Sequence, residues 1–157
     1  MQLKMSPTAC APESMVGFWL NLASRSLLRV LDGRLRPFGF SMRHLPVLRA
    51  LAERGALSQK ELARVARVEQ PTMAEMLARM ERDGVVQRET NPEDKRGSLT
   101  SLTRSARGRL SKAAEAMIEG EREAMVGLSV AERALLLDLL KRVVRNLEAR
   151  DPSEGHR

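Results

Sequence analysis

The sequence predicts a mainly α fold with one small β-hairpin, an α+β arrangement of helices around a compact wing-like element. Three observations carry this. Apolar residues recur at three- and four-residue steps over most of the chain. Two serine–glutamate capping signals and several Pro and Gly stops divide that pattern into separate helices. Only one region, residues 85–102, changes to short β-type runs around a polar loop containing Pro92 and Gly97.

Residues 1–12 hold Pro7 and Pro12 with little periodicity and read as a tail. From Glu13 a long helix is expected, with Phe18, Trp19, Leu22, Leu27, Leu31 and Leu35 on its apolar face and a stop at Pro37 and Gly39. Ser41 is expected to cap a second helix through Leu45, Leu48 and Leu51, ended by Gly55. Ala56-Leu57 is long enough only for a rung of sheet. Ser58-Gln59-Lys60-Glu61 fits a capping box and opens a short helix. After a turn through Arg67, Val68 and Glu69, Gln70-Pro71 opens another, because proline at a first helical position lacks only an N–H that would be unbonded anyway. That helix runs through Met73, Met76, Leu77 and Met80 to Gly84.

Residues 85–89 and 99–102 read as the two strands of the hairpin. A long helix follows through Ala106, Leu110, Ala113 and Met117. Ser129-Val130-Ala131-Glu132 is a second capping box, and the last helix behind it carries leucines over most of its circumference. Left bare, such a helix would expose a large apolar patch, which marks Leu136, Leu139, Leu140 and Val143 as interface candidates, or else as an internal core stripe. The division expected is a tail over 1–12, flanking helices over 13–37 and 104–150, a helix-and-hairpin module over 38–103 and a tail over 151–157.

Composition narrows the partners. The 157 residues are 43% hydrophobic and 30% charged, with a formal net charge of +7. Basic residues outnumber acidic ones by 8 to 3 in residues 1–57 and by 11 to 8 in 58–109, but not in 110–157, at 8 to 9. The basic excess therefore sits outside the last third and suits a polyanion such as nucleic acid. No run approaches the roughly 18 apolar residues of a membrane span. Without an apolar leader segment near Met1, a cytoplasmic protein is expected. The one cysteine, Cys10, cannot close an internal disulfide. Two histidines, His44 and His156, with no metal-ligand spacing, no glycine-rich phosphate loop and no nucleophile set, argue against an enzyme and call for no metal or cofactor.

Short helix, tight turn, short helix, then a basic-tipped hairpin is the order of a winged helix-turn-helix. Its second helix enters the DNA major groove and its hairpin reaches the neighbouring phosphates or minor groove. With Met73, Met76, Leu77 and Met80 inward, Thr72, Glu75 and Arg79 share another face at steps of three and four. Together with Gln70 and Pro71 they form the candidate base-contacting set. Two readings of Glu75 stand: a carboxylate accepting from cytosine N4, or a solvated partner of Arg79. Lys60, Arg64, Arg67 and Arg88 are candidate phosphate contacts, with plain surface charge as the other reading.

These motifs resemble the multiple-antibiotic-resistance (MarR) regulators. The match runs through Leu57-Ser58-Gln59-Lys60-Glu61-Leu62-Ala63, Val68-Glu69-Gln70-Pro71-Thr72, Gly84-Val85-Val86-Gln87-Arg88, Asp94-Lys95-Arg96-Gly97 and Leu102-Thr103. Glu69-Gln70-Pro71-Thr72 is similar to the salmolysin (SlyA) branch, and the 94–97 loop to the founding branch. The resemblance implies a homodimer with interlocked first and last helices, binding a near-palindromic duplex. It implies that Arg96 enters the minor groove, that Lys95 meets phosphate or groove, and that Asp94 holds the tip. It also implies a repressor released by a small aromatic, anionic ligand. For that ligand the candidates are Trp19 and Phe38 for a ring, and Arg43 and His44 for a carboxylate; core packing or surface placement is the other reading for each. Where peroxide-sensing relatives carry a reactive cysteine, this chain has Gly17, and Cys10 lies too early, which sets thiol sensing aside. Ala106 stands where the family pattern has glycine. The rival to DNA binding is a winged module that docks protein.

Overall fold

A computed structural model describes residues 11–90 and 97–150. The chain divides into two compact units, residues 1–121 and 122–157. Cys10 and the wing-tip residues Asp94, Lys95 and Arg96 lie outside the described residues, as do both tails beyond 11 and 150. None of the described helices is long and apolar enough to cross a membrane.

The first unit begins with a 3-10 turn at Pro12–Ser14 and then α1, Val16–Leu35. The helix starts three residues later than its periodicity suggests, because Pro12 favours the tight turn. A second 3-10 turn, Arg36–Phe38, ends at Gly39, whose φ of 73° lies in the left-handed region that glycine tolerates. Ser41 does not cap the next helix with its side chain. The Met42 N–H, at the first position of this segment, donates to the Asp32 carboxylate at 2.7 Å. A 3-10 turn over Met42–His44 intervenes, and α2, Leu45–Arg54, carries Pro46 in its first turn.

β1 is the short rung Leu57–Ser58. It leads into α3, Gln59–Ala66, through a complete capping box: the Glu61 N–H donates to Ser58 Oγ at 3.3 Å, and the Ser58 N–H donates to the Glu61 carboxylate at 2.8 Å. Then come α4, Gln70–Arg82, β2, Val86–Thr90, and β3, Ser98–Leu102. The sheet is antiparallel in the order β1-β3-β2, with Leu57 opposite Thr100 and Val86 opposite Leu102. β2 starts one residue later than its apolar run because the Val85 N–H turns back to the Met80 carbonyl at 2.8 Å. With Gly84 at φ 66°, that bond closes the end of α4.

α5, Arg104–Ala124, is started by Thr103, whose hydroxyl donates to the Gly84 carbonyl at 2.8 Å and accepts from the Ala106 N–H at 3.1 Å. Ala106 is fully buried, so the methyl that replaces the family's glycine packs in the core. The core gathers Leu35 and Phe40, α2 (Val47, Leu51), α3 (Leu62), α4 (Met73, Leu77, Met80) and β2 and β3 (Val86, Leu102). Gly120 lets α5 approach α1 closely: a Cβ there would stand 3.0 Å from a Leu31 methyl. The second unit is built on α6, Val130–Glu148, opened by the Ser129–Glu132 capping box. None of the residues of α6 is buried.

Candidate nucleic-acid interface

α4 is strongly two-faced. Met73, Leu77 and Met80 are fully buried, whereas Gln70, Pro71, Thr72, Glu75 and Arg79 are all exposed. The apolar anchors hold the helix axis in place, so the polar side chains are presented by a rigid element and not by a loop. Thr72, Glu75 and Arg79 thus share one accessible face, and Gln70 and Pro71 are exposed at the helix start. Arg79 and Glu75 approach to 3.8 Å with 60% and 73% of their side chains accessible. An exposed pair at that distance contributes about 0–1 kcal/mol. It leaves both groups free to exchange one another for a polar partner.

The helix is braced at both ends. At its start, Gln59 Nε2, on the first residue of α3, donates to Gln70 Oε1 at 3.0 Å and to the Gln70 backbone carbonyl at 3.4 Å. Near its end, Arg88 on β2 pairs with Glu81 at 3.3 Å, tying the wing strand to α4. Lys60 and Arg64 are exposed on α3. Arg67 occupies the turn between the helices at φ 52° and ψ 47°. The N–H of Arg67 reaches back to Arg64 and that of Val68 to Ala63, which is the same helix stop that Gly84 makes after α4. A side chain in this left-handed conformation costs about 1–2 kcal/mol relative to the right-handed helix.

The four ligand candidates stand in different surroundings. Trp19 is 54% exposed; its Nε1 donates to the Glu13 carbonyl at 2.9 Å and its ring meets Phe18 edge-on. Phe38 packs against the core and Arg43 is exposed. His44 is half-buried, and its Nδ1 finds no hydrogen-bond partner among the described residues. Burial holds its pKa below the ordinary 6.5; Asp83 and Asp32 oppose that shift, and Arg43 and Arg79 add to it. A cavity of about 310 Å³ opens elsewhere in the first unit, between α2 and α5, lined by Phe40, Leu45, Leu48, Leu110 and Met117 with Arg49 and Glu121 among its polar groups. None of the four candidates lines it. Sequence reasoning missed these residues because each reads as ordinary core or surface, and missed Gln59 because its value lies in a contact with Gln70. No group of three or more His, Cys, Asp or Glu placed to hold a metal ion occurs among the described residues.

With this geometry in place, the comparisons are specific. Residues 40–98 match the family model described as MarR family. An HTH-type transcriptional regulator of Bacillus subtilis, YdgJ, is 30% identical over 114 residues, which span 71% of this chain and 70% of that protein. A probable transcriptional regulator from Pseudomonas aeruginosa superposes with a TM-score of 0.74 at 27% identity, covering 85% of this chain and 99% of that one. A mutant MarR from Escherichia coli complexed with operator DNA superposes with a TM-score of 0.71 at 27% identity, covering 82% and 92%.

Proposed function

This chain belongs to the MarR family of transcriptional regulators, and on that premise we propose that it is a homodimeric, sequence-specific repressor whose α4 reads the major groove. The observation that carries the reading is the exposed polar face of α4, Gln70 through Arg79, set on a fully buried apolar face. Gln70, Pro71, Thr72, Glu75 and Arg79 meet base edges. Lys60, Arg64, Arg67 and Arg88 hold phosphates and fix the register. The wing tip, Asp94, Lys95 and Arg96, reaches the minor groove, where a narrow, strongly negative channel favours arginine.

The apolar face of α6 supports the dimer. Leu136 and Leu139 are 37% and 43% accessible in the single chain, next to Leu140 and Val143. A second copy removes that surface from water. Two modules then present their α4 helices about 34 Å apart, one turn of duplex, so the operator is a near-palindrome. For an effector, the α2–α5 cavity is of a size for a small aromatic ring. Arg49, now bonded to Glu53 at 2.7 Å, is placed to exchange that partner for the anionic group of a ligand. Binding there lowers DNA affinity by as much as the ligand prefers the α4 spacing that misfits DNA.

The test is a fluorescence-anisotropy titration of a duplex selected by the protein, over a range of salt concentrations. Steeply salt-dependent binding with strong preference over a scrambled duplex is expected, because phosphate neutralisation releases counterions. A salt-insensitive protein indifferent to duplex sequence would instead be a protein-docking module.

A further inference from the structure

The contact between Gln59 and Gln70 fixes more than a helix start. The Gln59 amide touches two oxygens of Gln70, the side-chain Oε1 at 3.0 Å and the backbone carbonyl at 3.4 Å. A backbone carbonyl only accepts, so Gln59 has to present its NH2 group to it. The same nitrogen serves the Gln70 side chain, which therefore has to turn its oxygen inward. The Gln70 NH2 group is left facing away from Gln59, at the exposed start of α4. A lone glutamine on a helix surface would present either end of its amide with similar ease; this one is polarised by its neighbour.

We infer that Gln59 is a positioning residue that determines specificity, holding the Gln70 amide as an outward hydrogen-bond donor. The inference rests on the reading of α4 as the helix in the major groove. A donor-forward amide selects a base whose groove edge offers an acceptor: N7 or O6 of guanine, N7 of adenine, or O4 of thymine. On the strand it reaches, it disfavours cytosine, which offers only the N4 donor. Gln59 achieves this without being the group that touches the base, since its nitrogen is already committed to Gln70.

The experiment is a selection of bound duplexes from a randomised pool, with the full-length protein and three variants, each checked for an unchanged thermal unfolding profile. Gln70→Ala identifies the base pair that Gln70 sets. Gln59→Leu removes the donor and frees the amide to rotate, so preference at that pair is expected to fall by roughly fivefold or more, with other positions unchanged. Gln59→Glu offers only acceptors. It draws the Gln70 NH2 inward and turns Oε1 out, so preference at the same pair should shift toward a donor edge, cytosine N4 or adenine N6. Its added charge weakens all duplexes alike and leaves relative preference readable. Either Gln59 variant keeping the parental preference at that pair, or losing affinity equally for every sequence, overturns the inference while leaving the α4 reading intact. If Gln70→Ala alters preference nowhere, the α4 assignment at Gln70 falls and takes the inference with it.

Discussion

The Asp32 carboxylate accepts a hydrogen bond from the Met42 backbone N–H at 2.7 Å, so the end of α1 holds the entry to α2. Removing the acceptor leaves a partly buried N–H without its partner, which costs about 1–3 kcal/mol. Asp32→Ala is expected to lower the unfolding free energy from urea titration by that amount. Asp32→Asn keeps an acceptor oxygen and should lose less than half as much. Equal losses for the two variants would show that the bond contributes nothing beyond the charge.

Acid should destabilise the protein in two steps. His44 is held below 6.5, first by burial, so between 6.5 and its lowered value the unfolded chain binds a proton that the folded chain refuses. Stability therefore falls as pH drops through that window. Glu61 and Glu132 are both held below 4.5, first by the Ser58 side chain and by the Ser129 backbone N–H respectively. Their contribution is present above 4.5 and is lost as pH falls through their lowered values. Urea midpoints measured from pH 8 to pH 3 should show both declines. His44→Gln should abolish the upper one alone, and Ser58→Ala should weaken the lower one while costing about 0.5–2 kcal/mol near neutrality.

Arg67 separates folding from binding. Glycine adopts its left-handed backbone without strain but gains freedom in the unfolded chain, so Arg67→Gly should stay within about 1 kcal/mol of the parent in stability. If the guanidinium neutralises one phosphate, the slope of log affinity against log salt should drop by about 0.9. An unchanged slope would remove Arg67 from the interface.

Dimer formation tests the apolar face of α6. Leu139→Glu puts a carboxylate into the middle of that stripe and should yield a monomer by sedimentation, with the thermal midpoint now independent of protein concentration. Affinity for a full operator should fall at least tenfold while affinity for a half-site changes little. A dimer that tolerates the charge would point to a different surface.

Much of this fold was legible because its helix boundaries are written in local chemistry. Ser58 with Glu61, Ser129 with Glu132, Pro71 and Gly84 each act within a turn of themselves, and all four stand where the pattern placed them. The exposure of Thr72, Glu75 and Arg79 on α4 followed from helical periodicity. What escaped were contacts between elements. The bond from the Met42 N–H to Asp32 joins residues ten apart, and nothing local reveals it. The environment of His44 comes from burial and from charges at the end of α4, Asp83 and Arg79 among them, which periodicity cannot place beside it. The α2–α5 cavity is lined mainly by leucines and alanines that look the same in sequence whether they fill space or surround it.

The middle place of β3 has one more consequence. Leu99 faces Glu89 of the wing on one side and Ser58, the cap of α3, on the other. The hairpin is thus stitched to the front of α3, while the Arg88–Glu81 pair fastens it to α4. The described strands of the hairpin are thus held against both helices. If α4 reads the major groove and the hairpin the minor groove, as proposed, groove geometry becomes a ruler: sequences that set the minor groove at the wrong offset would be rejected by misfit, even when every base edge facing α4 is correct.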